Sequence, residues 1–164
     1  METGLDARQQ WVFLAYRLPR EPSTPRIALW RKLRRLGVVQ LLDGLVTLPL
    51  DNRTREQLEW LADEVAEAGG QASIWLAQAG SAAQERALVG QFQAAIAGEY
   101  QAVAAAATAA VDDEPAARRR LLGRLRRELH RIAARDYFPP AERDLAHQAV
   151  QQLAATLERQ RASR

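Results

Sequence analysis

Guanidinium groups are the main chemical resource of this sequence. From Arg17 to Arg35 stand seven basic residues (Arg17, Arg20, Arg26, Arg31, Lys32, Arg34 and Arg35) against one acid, Glu21. From Arg118 to Arg135 stand eight arginines against one acid, Glu128. Arginine presents planar, forked N–H donors that match the oxygens of a phosphate or another tetrahedral oxyanion. The chemistry on offer is therefore anion binding, with phosphate backbones the commonest partner. On a helical projection Arg31, Lys32, Arg34 and Arg35 lie opposite an apolar stripe of Leu29, Trp30, Leu33 and Leu36. Arg120, Arg124, Arg127, Arg131 and Arg135 form one ridge, opposite Leu121, Leu125, Leu129 and Ile132.

The plain alternative is that each basic face is only the wet side of an amphipathic helix. Wet faces usually mix signs, because acids one turn away from bases support the helix, and like charges there cost a few tenths of a kcal/mol. These faces hardly mix. Arginine abundance carries less weight, since Lys32 is the only lysine among 23 basic residues and a GC-rich genome gives the same bias. The formal net charge is only +3.

Other chemistry is thinly represented. With no cysteine, thiolate metal sites, iron–sulfur clusters and thiol catalysis are excluded. The two histidines, His130 and His147, have no carboxylates spaced around them as metal ligands and read as surface or boundary residues. There is no glycine-rich phosphate loop and no serine in a nucleophile elbow. No metal, cofactor or catalytic residue is expected, and the chain is expected not to be an enzyme. Trp11, Trp30, Trp60 and Trp75 fall one per element and read as core and interface material rather than a stacking platform.

The elements that must position the arginines can be read from pattern and punctuation. Trp11 to Leu18 is an apolar run rich in strand formers, ended by Pro19 and Pro22, and reads as a buried central strand. Pro25 to Leu36 reads as a helix stopped by Gly37. Val38–Leu42 and Leu45–Leu48 read as strands joined by an Asp43-Gly44 hairpin turn. Thr54 to Gln57 reads as a capping box opening a helix to about Ala68, with Leu58, Leu61 and Val65 inward and Gly69-Gly70 ending it. Ser73 to Ala77 closes the unit as a strand. The order is β-α-β-β-α-β, which predicts an α+β fold of ferredoxin-like type over residues 8–78.

A helical extension of about three helices is expected over residues 81–160. Ser81 to Gln84 reads as a second capping box, opening an alanine-rich helix to about Val111. Acids and Pro115 mark the next helix, which runs to about Arg135. Asp136 to Pro140 breaks it. A last helix runs from about Ala141 to Arg159, with Leu145, Ala149, Leu153 and Leu157 as its stripe, and the polar tail beyond is expected to fray. No signal peptide or membrane span is recognisable, so a cytoplasmic protein is expected.

The first strand invites one comparison. Ferredoxin-like endonucleases of the CRISPR-adaptation type carry a metal-binding Asp at its end, in a Tyr-Asp-x-Pro setting. Here Tyr16-Arg17-Leu18-Pro19 puts a cation in that place, so the ligand for metal-assisted hydrolysis is lost while an anion could still be held.

Several blocks together resemble the N-terminal domain family of the chromate resistance protein ChrB. They are Trp11-Val-Phe-Leu-Ala-Tyr-Arg-Leu-Pro-Arg-Glu-Pro22, Leu29-Trp-Arg-Lys-Leu-Arg-Arg-Leu-Gly37, the hairpin ending Leu48-Pro49, and Asn52-Arg-Thr-Arg-Glu-Gln57. The later Arg135-Asp-Tyr-Phe-Pro139 is similar to that family's helix–break–helix segment. The first domain is more distantly similar to the Cas-like domain of PaaX-type phenylacetate repressors. The resemblance implies a transcriptional regulator that binds the operator DNA of a resistance operon and responds to chromate. Carried over by position, Arg17 and Arg20 become the anion-binding pair. Arg31, Lys32, Arg34 and Arg35 become the DNA-binding block, joined by Arg120, Arg124, Arg127 and Arg131 from the later ridge. Full-length members of that family carry a second domain, which this chain is expected to lack. The expected partners are DNA, chromate or a sulfate-like oxyanion, and a second copy in a homodimer. The alternative is an oxyanion sensor, or an interaction domain working with a separate chain.

Overall fold

The computed structural model describes residues 8–163 and is an α+β structure with a four-stranded antiparallel sheet and five helices. The chain divides between Gln91 and Phe92 into two compact units. The first contains β1 (Trp11–Arg17), α1 (Thr24–Leu36), β2 (Val39–Leu42), β3 (Leu45–Pro49), α2 (Asn52–Glu67) and β4 (Gln71–Ala77). The sheet order is β2-β3-β1-β4, with β1 paired to both β3 and β4.

Strand periodicity explains the core of this unit. Val12 lies opposite Leu48 and Leu14 opposite Val46, and all four are buried. Side chains two apart share a sheet face, so this register forms one apolar patch. Leu29 and Leu33 of α1 and Leu58, Leu61 and Val65 of α2 are buried at helical spacing, and α2 packs against β1, β4 and α1. On the other face Thr47 is fully buried, its hydroxyl donating to the Val12 carbonyl at 2.9 Å.

Of the four tryptophans, read as core and interface material, one is core. Trp11 is completely buried, but Trp30, Trp60 and Trp75 are 39 %, 60 % and 62 % exposed. Trp30 follows Leu29 by one residue, about 100° around the helix, and so turns off the Leu29–Leu33 line.

The second helix also starts earlier than its sequence signature indicates. Asp51, not Thr54, is the cap. Its Oδ1 accepts from the Thr54 N–H at 2.7 Å, and Thr54 Oγ1 accepts from the Asp51 N–H at 3.0 Å. Thr54 is thus the third helical residue of the box, and its hydroxyl donates to the Pro49 carbonyl. The Asp43-Gly44 turn is as read. Gly44 has φ +75, and its carbonyl accepts from the Tyr16 N–H at 2.8 Å. A Cβ there would stand 2.3 Å from the Tyr16 carbonyl, so only glycine lets the hairpin press on the end of β1.

The division falls within α3 (Ala82–Ala109), whose later part joins α4 (Pro115–Ala133) and α5 (Glu142–Ala162) in the second unit. Ser81 Oγ accepts from the Gln84 N–H at 3.1 Å, as a cap should. The core gathers Ile96, Tyr100 and Val103 of α3, Leu125, Leu129 and Ile132 of α4, and Val150 and Leu153 of α5. Leu145 does not belong to it, being 59 % exposed. Of the rest of the expected α5 stripe, Leu153 is fully buried and Ala149 and Leu157 pack against the core, with Ala146 and Val150 completing the face in place of Leu145. α5 continues to Ala162, three residues past the expected end. In the connection after α4, Tyr137 and Phe138 lie against Phe92 with ring centroids 5.9 and 5.6 Å away.

Candidate functional site

Five arginines converge on one open cleft of about 970 Å³ in the first unit. The end of β1 supplies Tyr16 and Arg17, and the loop after it supplies Arg20. α1 supplies Arg26, Ile27, Trp30, Arg31 and Arg34, and the β2–β3 hairpin supplies Gln40 and Asp43. Helical geometry explains the α1 contribution: positions 27, 30, 31 and 34 are i, i+3, i+4 and i+7, one face of a helix. Here that face carries guanidinium groups beside an aromatic ring and an isoleucine.

The cleft is electrostatically lopsided. Among the described residues Asp43 is the only carboxylate that lines it. All five arginines are exposed, and none takes part in an ion pair among the described residues. Asp43 Oδ1 accepts a hydrogen bond from Gln40 Nε2 at 3.3 Å. Burial holds the Tyr16 hydroxyl above its ordinary pKa, with the Asp43 charge adding to the rise and Arg26 opposing it. Tyr16 therefore stays a neutral donor at physiological pH.

The structure splits the basic block of α1. Arg31 and Arg34 face the cleft together with Arg17 and Arg20, which the sequence reading had assigned to a separate anion site. Lys32 and Arg35 lie on the side toward α2, beside Trp60, Gln57 and Glu64. Lys32 Nζ is paired there with Glu64 at 2.7 Å, so its charge is already answered. Arg35 is exposed and forms no ion pair among the described residues.

The second ridge is also divided. Arg120, Arg124 and Arg127 are exposed and without an ion pair among the described residues. Arg131 pairs with Glu128 at 3.0 Å. Arg135, the last of the expected ridge, forms a two-pronged pair with Glu99. Arg118 is turned inward and only 5 % exposed.

Sequence reasoning left Tyr16, Arg26, Trp30, Gln40 and Asp43 out of the candidate site. A signal for two of them existed: Arg26, Trp30 and Arg34 recur at i, i+4, i+8, a row that shares one helix face. The hairpin residues carried no such local signal. Both histidines line a groove of about 480 Å³ along α4 and α5, with Arg126 and Glu158. Among the described residues no three His, Asp or Glu side chains group closely enough to hold a metal ion.

Comparison with known proteins bears on this arrangement. The family model described as Protein ChrB, N-terminal, matches residues 26–163. Its span begins at Arg26, so it takes in α1 from its third residue and the hairpin, and leaves Tyr16, Arg17 and Arg20 before it. Protein ChrB of Cupriavidus metallidurans is 35 % identical over 75 residues, which is 46 % of this chain and 23 % of that protein. The match thus spans about a quarter of that relative's length. No solved structure matches the chain. No helix among the described residues is long and apolar enough to cross a membrane. With most of its length matched by the family model, this chain belongs to the ChrB N-terminal family, which is associated with chromate resistance.

Proposed function

We propose that the chain is a regulatory protein of chromate resistance that binds DNA through its unpaired arginines and takes chromate, or a similar oxyanion, at Arg17 and Arg20. It acts by binding rather than catalysis, in the cytoplasm, as a homodimer. Its first unit is of ferredoxin-like type. The element order β-α-β-β-α-β and the strand order β2-β3-β1-β4 support that reading.

The observation that carries the proposal is the absence of counter-charge. Arg17, Arg20, Arg31, Arg34, Arg35, Arg120, Arg124 and Arg127 are all exposed, and no ion pair among the described residues uses any of them. The sequence holds 20 acids, yet among the described residues none pairs with these groups. Leaving these groups open keeps their forked donors available for phosphate or oxyanion. Lys32 and Arg131, which are paired, contribute less to the DNA surface.

The oxyanion role rests on convergence. Arg17 and Arg20 line the same cleft as Arg31 and Arg34, so one anion can influence residues assigned to DNA. That shared cleft supplies a simple coupling: chromate occupying it competes for the guanidinium groups that otherwise meet phosphate. Titration of resistance-operon promoter DNA at two salt concentrations, with and without chromate, tests both parts. Affinity that falls steeply with salt, and falls again with chromate in wild type but not in Arg17→Ala, is the expected result. Affinity indifferent to salt would rule out phosphate contacts.

A further inference from the structure

The cleft is larger and chemically richer than a simple oxyanion requires. A tetrahedral dianion has four oxygens, which two forked guanidinium groups already occupy. Five arginines around about 970 Å³ call for more than one anionic centre. An open cleft of that volume has room for an organic ligand of several rings or groups, with one side left to solvent.

The cleft is also not uniformly basic. Ile27 and Trp30, 50 % and 39 % exposed, form an apolar and aromatic shelf on α1 between Arg26 and Arg31. A phosphate gains nothing from such a shelf, whereas the π-face of a base does. The hairpin wall carries Gln40 and Asp43, hydrogen-bonding groups that suit the edge of a base: the carboxylate accepts from an amino group, and the amide both donates and accepts. A carboxylate on that wall opposes phosphate there and leaves the anionic end to the arginines of β1, the following loop and α1.

We propose that this cleft is a nucleotide site, holding a base on Trp30 with two or more adjacent phosphoryl groups among the arginines. The inference rests on the reading of the cleft as an anion site and adds a second occupant, one that competes with chromate for the same arginines. Two sources have this chemistry, a free nucleoside polyphosphate and an unpaired end of a nucleic acid strand.

Calorimetry on the full chain with adenosine triphosphate, tripolyphosphate, sulfate and a short single-stranded oligodeoxyadenylate separates the possibilities. Either adenine ligand should bind about tenfold more tightly than tripolyphosphate, in line with the usual value of stacking one base on an aromatic residue. Whichever adenine ligand binds more tightly identifies the source. Trp30→Leu should remove that preference while leaving tripolyphosphate affinity unchanged, and Trp30→Phe should keep most of it. Trp30 is partly exposed, so circular dichroism should show both variants folded. Failure of both adenine ligands to exceed tripolyphosphate in affinity, or a Trp30→Leu loss shared equally by the tighter adenine ligand and tripolyphosphate, would overturn the proposal. So would a lack of binding by both adenine ligands. Failure here leaves the DNA reading standing if duplex titration still shows salt-dependent affinity. Failure of duplex binding with nucleotide binding intact would have the opposite meaning.

Discussion

Arg135 closes a two-pronged ion pair on Glu99, with Nη1–Oε1 at 2.8 Å and Nη2–Oε2 at 2.7 Å, across 36 residues of chain. The pair ties the end of α4 to the middle of α3 inside the second unit. It removes the last arginine of an apparent ridge from any role in binding an external anion.

This pair sets a pH dependence. The Arg135 hydrogen bonds hold the Glu99 carboxyl below its ordinary pKa, against a smaller opposing effect of burial. The stability it contributes is complete above the unfolded value near 4.5 and is lost as pH falls through the lower folded value. Glu99 is 37 % exposed, so solvent screening limits the contribution to about 1 kcal/mol. Glu99→Gln should lower stability at neutral pH by about that amount and flatten the acid limb of a urea-denaturation profile against pH. A variant with an unchanged acid limb would show that the pair is not what makes stability pH-dependent.

Arg118 is held differently. Its Nη1 donates to Thr156 Oγ1 at 2.9 Å and its Nη2 to Gln160 Oε1 at 2.6 Å, with no carboxylate in the arrangement. The Thr156 hydroxyl passes its own hydrogen to the Leu153 carbonyl at 2.6 Å. Thr156→Val keeps the shape and leaves a buried cationic N–H unanswered, which costs about 1–3 kcal/mol. Thermal unfolding should register this as a lowered midpoint, with DNA affinity unaffected because Arg118 is 5 % exposed.

Tyr100 gives the alkaline counterpart. It is fully buried and donates its hydroxyl hydrogen to Asp136 Oδ2 at 2.7 Å. Burial first, then that hydrogen bond and the Asp136 charge, push its pKa well above the ordinary range. For a raised pKa the stabilisation is present below the unfolded value of about 10 and is lost as pH climbs through the folded value. An ultraviolet absorbance titration should therefore show one tyrosine that ionises only as the chain unfolds. In Tyr100→Phe that late step should vanish, with a stability loss of about 1–3 kcal/mol.

The arginines of α4 test the DNA reading without disturbing the fold. Arg124 and Arg127 are exposed and have no partner among the described ion pairs. If each meets one phosphate, Arg124→Ala and Arg127→Ala should each reduce the slope of log affinity against log salt by about 0.9. Arg135→Ala should leave that slope unchanged and lower stability instead. Equal slopes for all three variants would argue against α4 as a DNA surface.

What the sequence determined by itself was local. Periodicity placed the strands and helices because apolar residues recur every two or about 3.6 positions within one element. Turn and cap chemistry placed the stops at Gly37 and Gly69-Gly70 and the Asp43-Gly44 hairpin, because those backbone conformations select their residues within a few positions. The same short range explains two misplacements. Thr54 fits either end of a capping box, and the choice depended on Asp51 just upstream. On α5, Leu145 and Ala146 border the same face one helical step apart, and only packing decides that Ala146 is the buried one.

Apart from the local Arg131–Glu128 pair, tertiary structure decided which charges of the expected basic faces are taken. Lys32 meets Glu64 across 32 residues, and Arg135 meets Glu99 across 36. Neither partner is visible to a reading that compares residues one turn apart. The cleft has the same origin: a strand end, a loop, a helix face and a hairpin bring Arg17, Arg20, Trp30, Arg34 and Asp43 together. Spacing along the chain records charge density, but a side chain's partner is set by proximity in space, and folding creates that proximity.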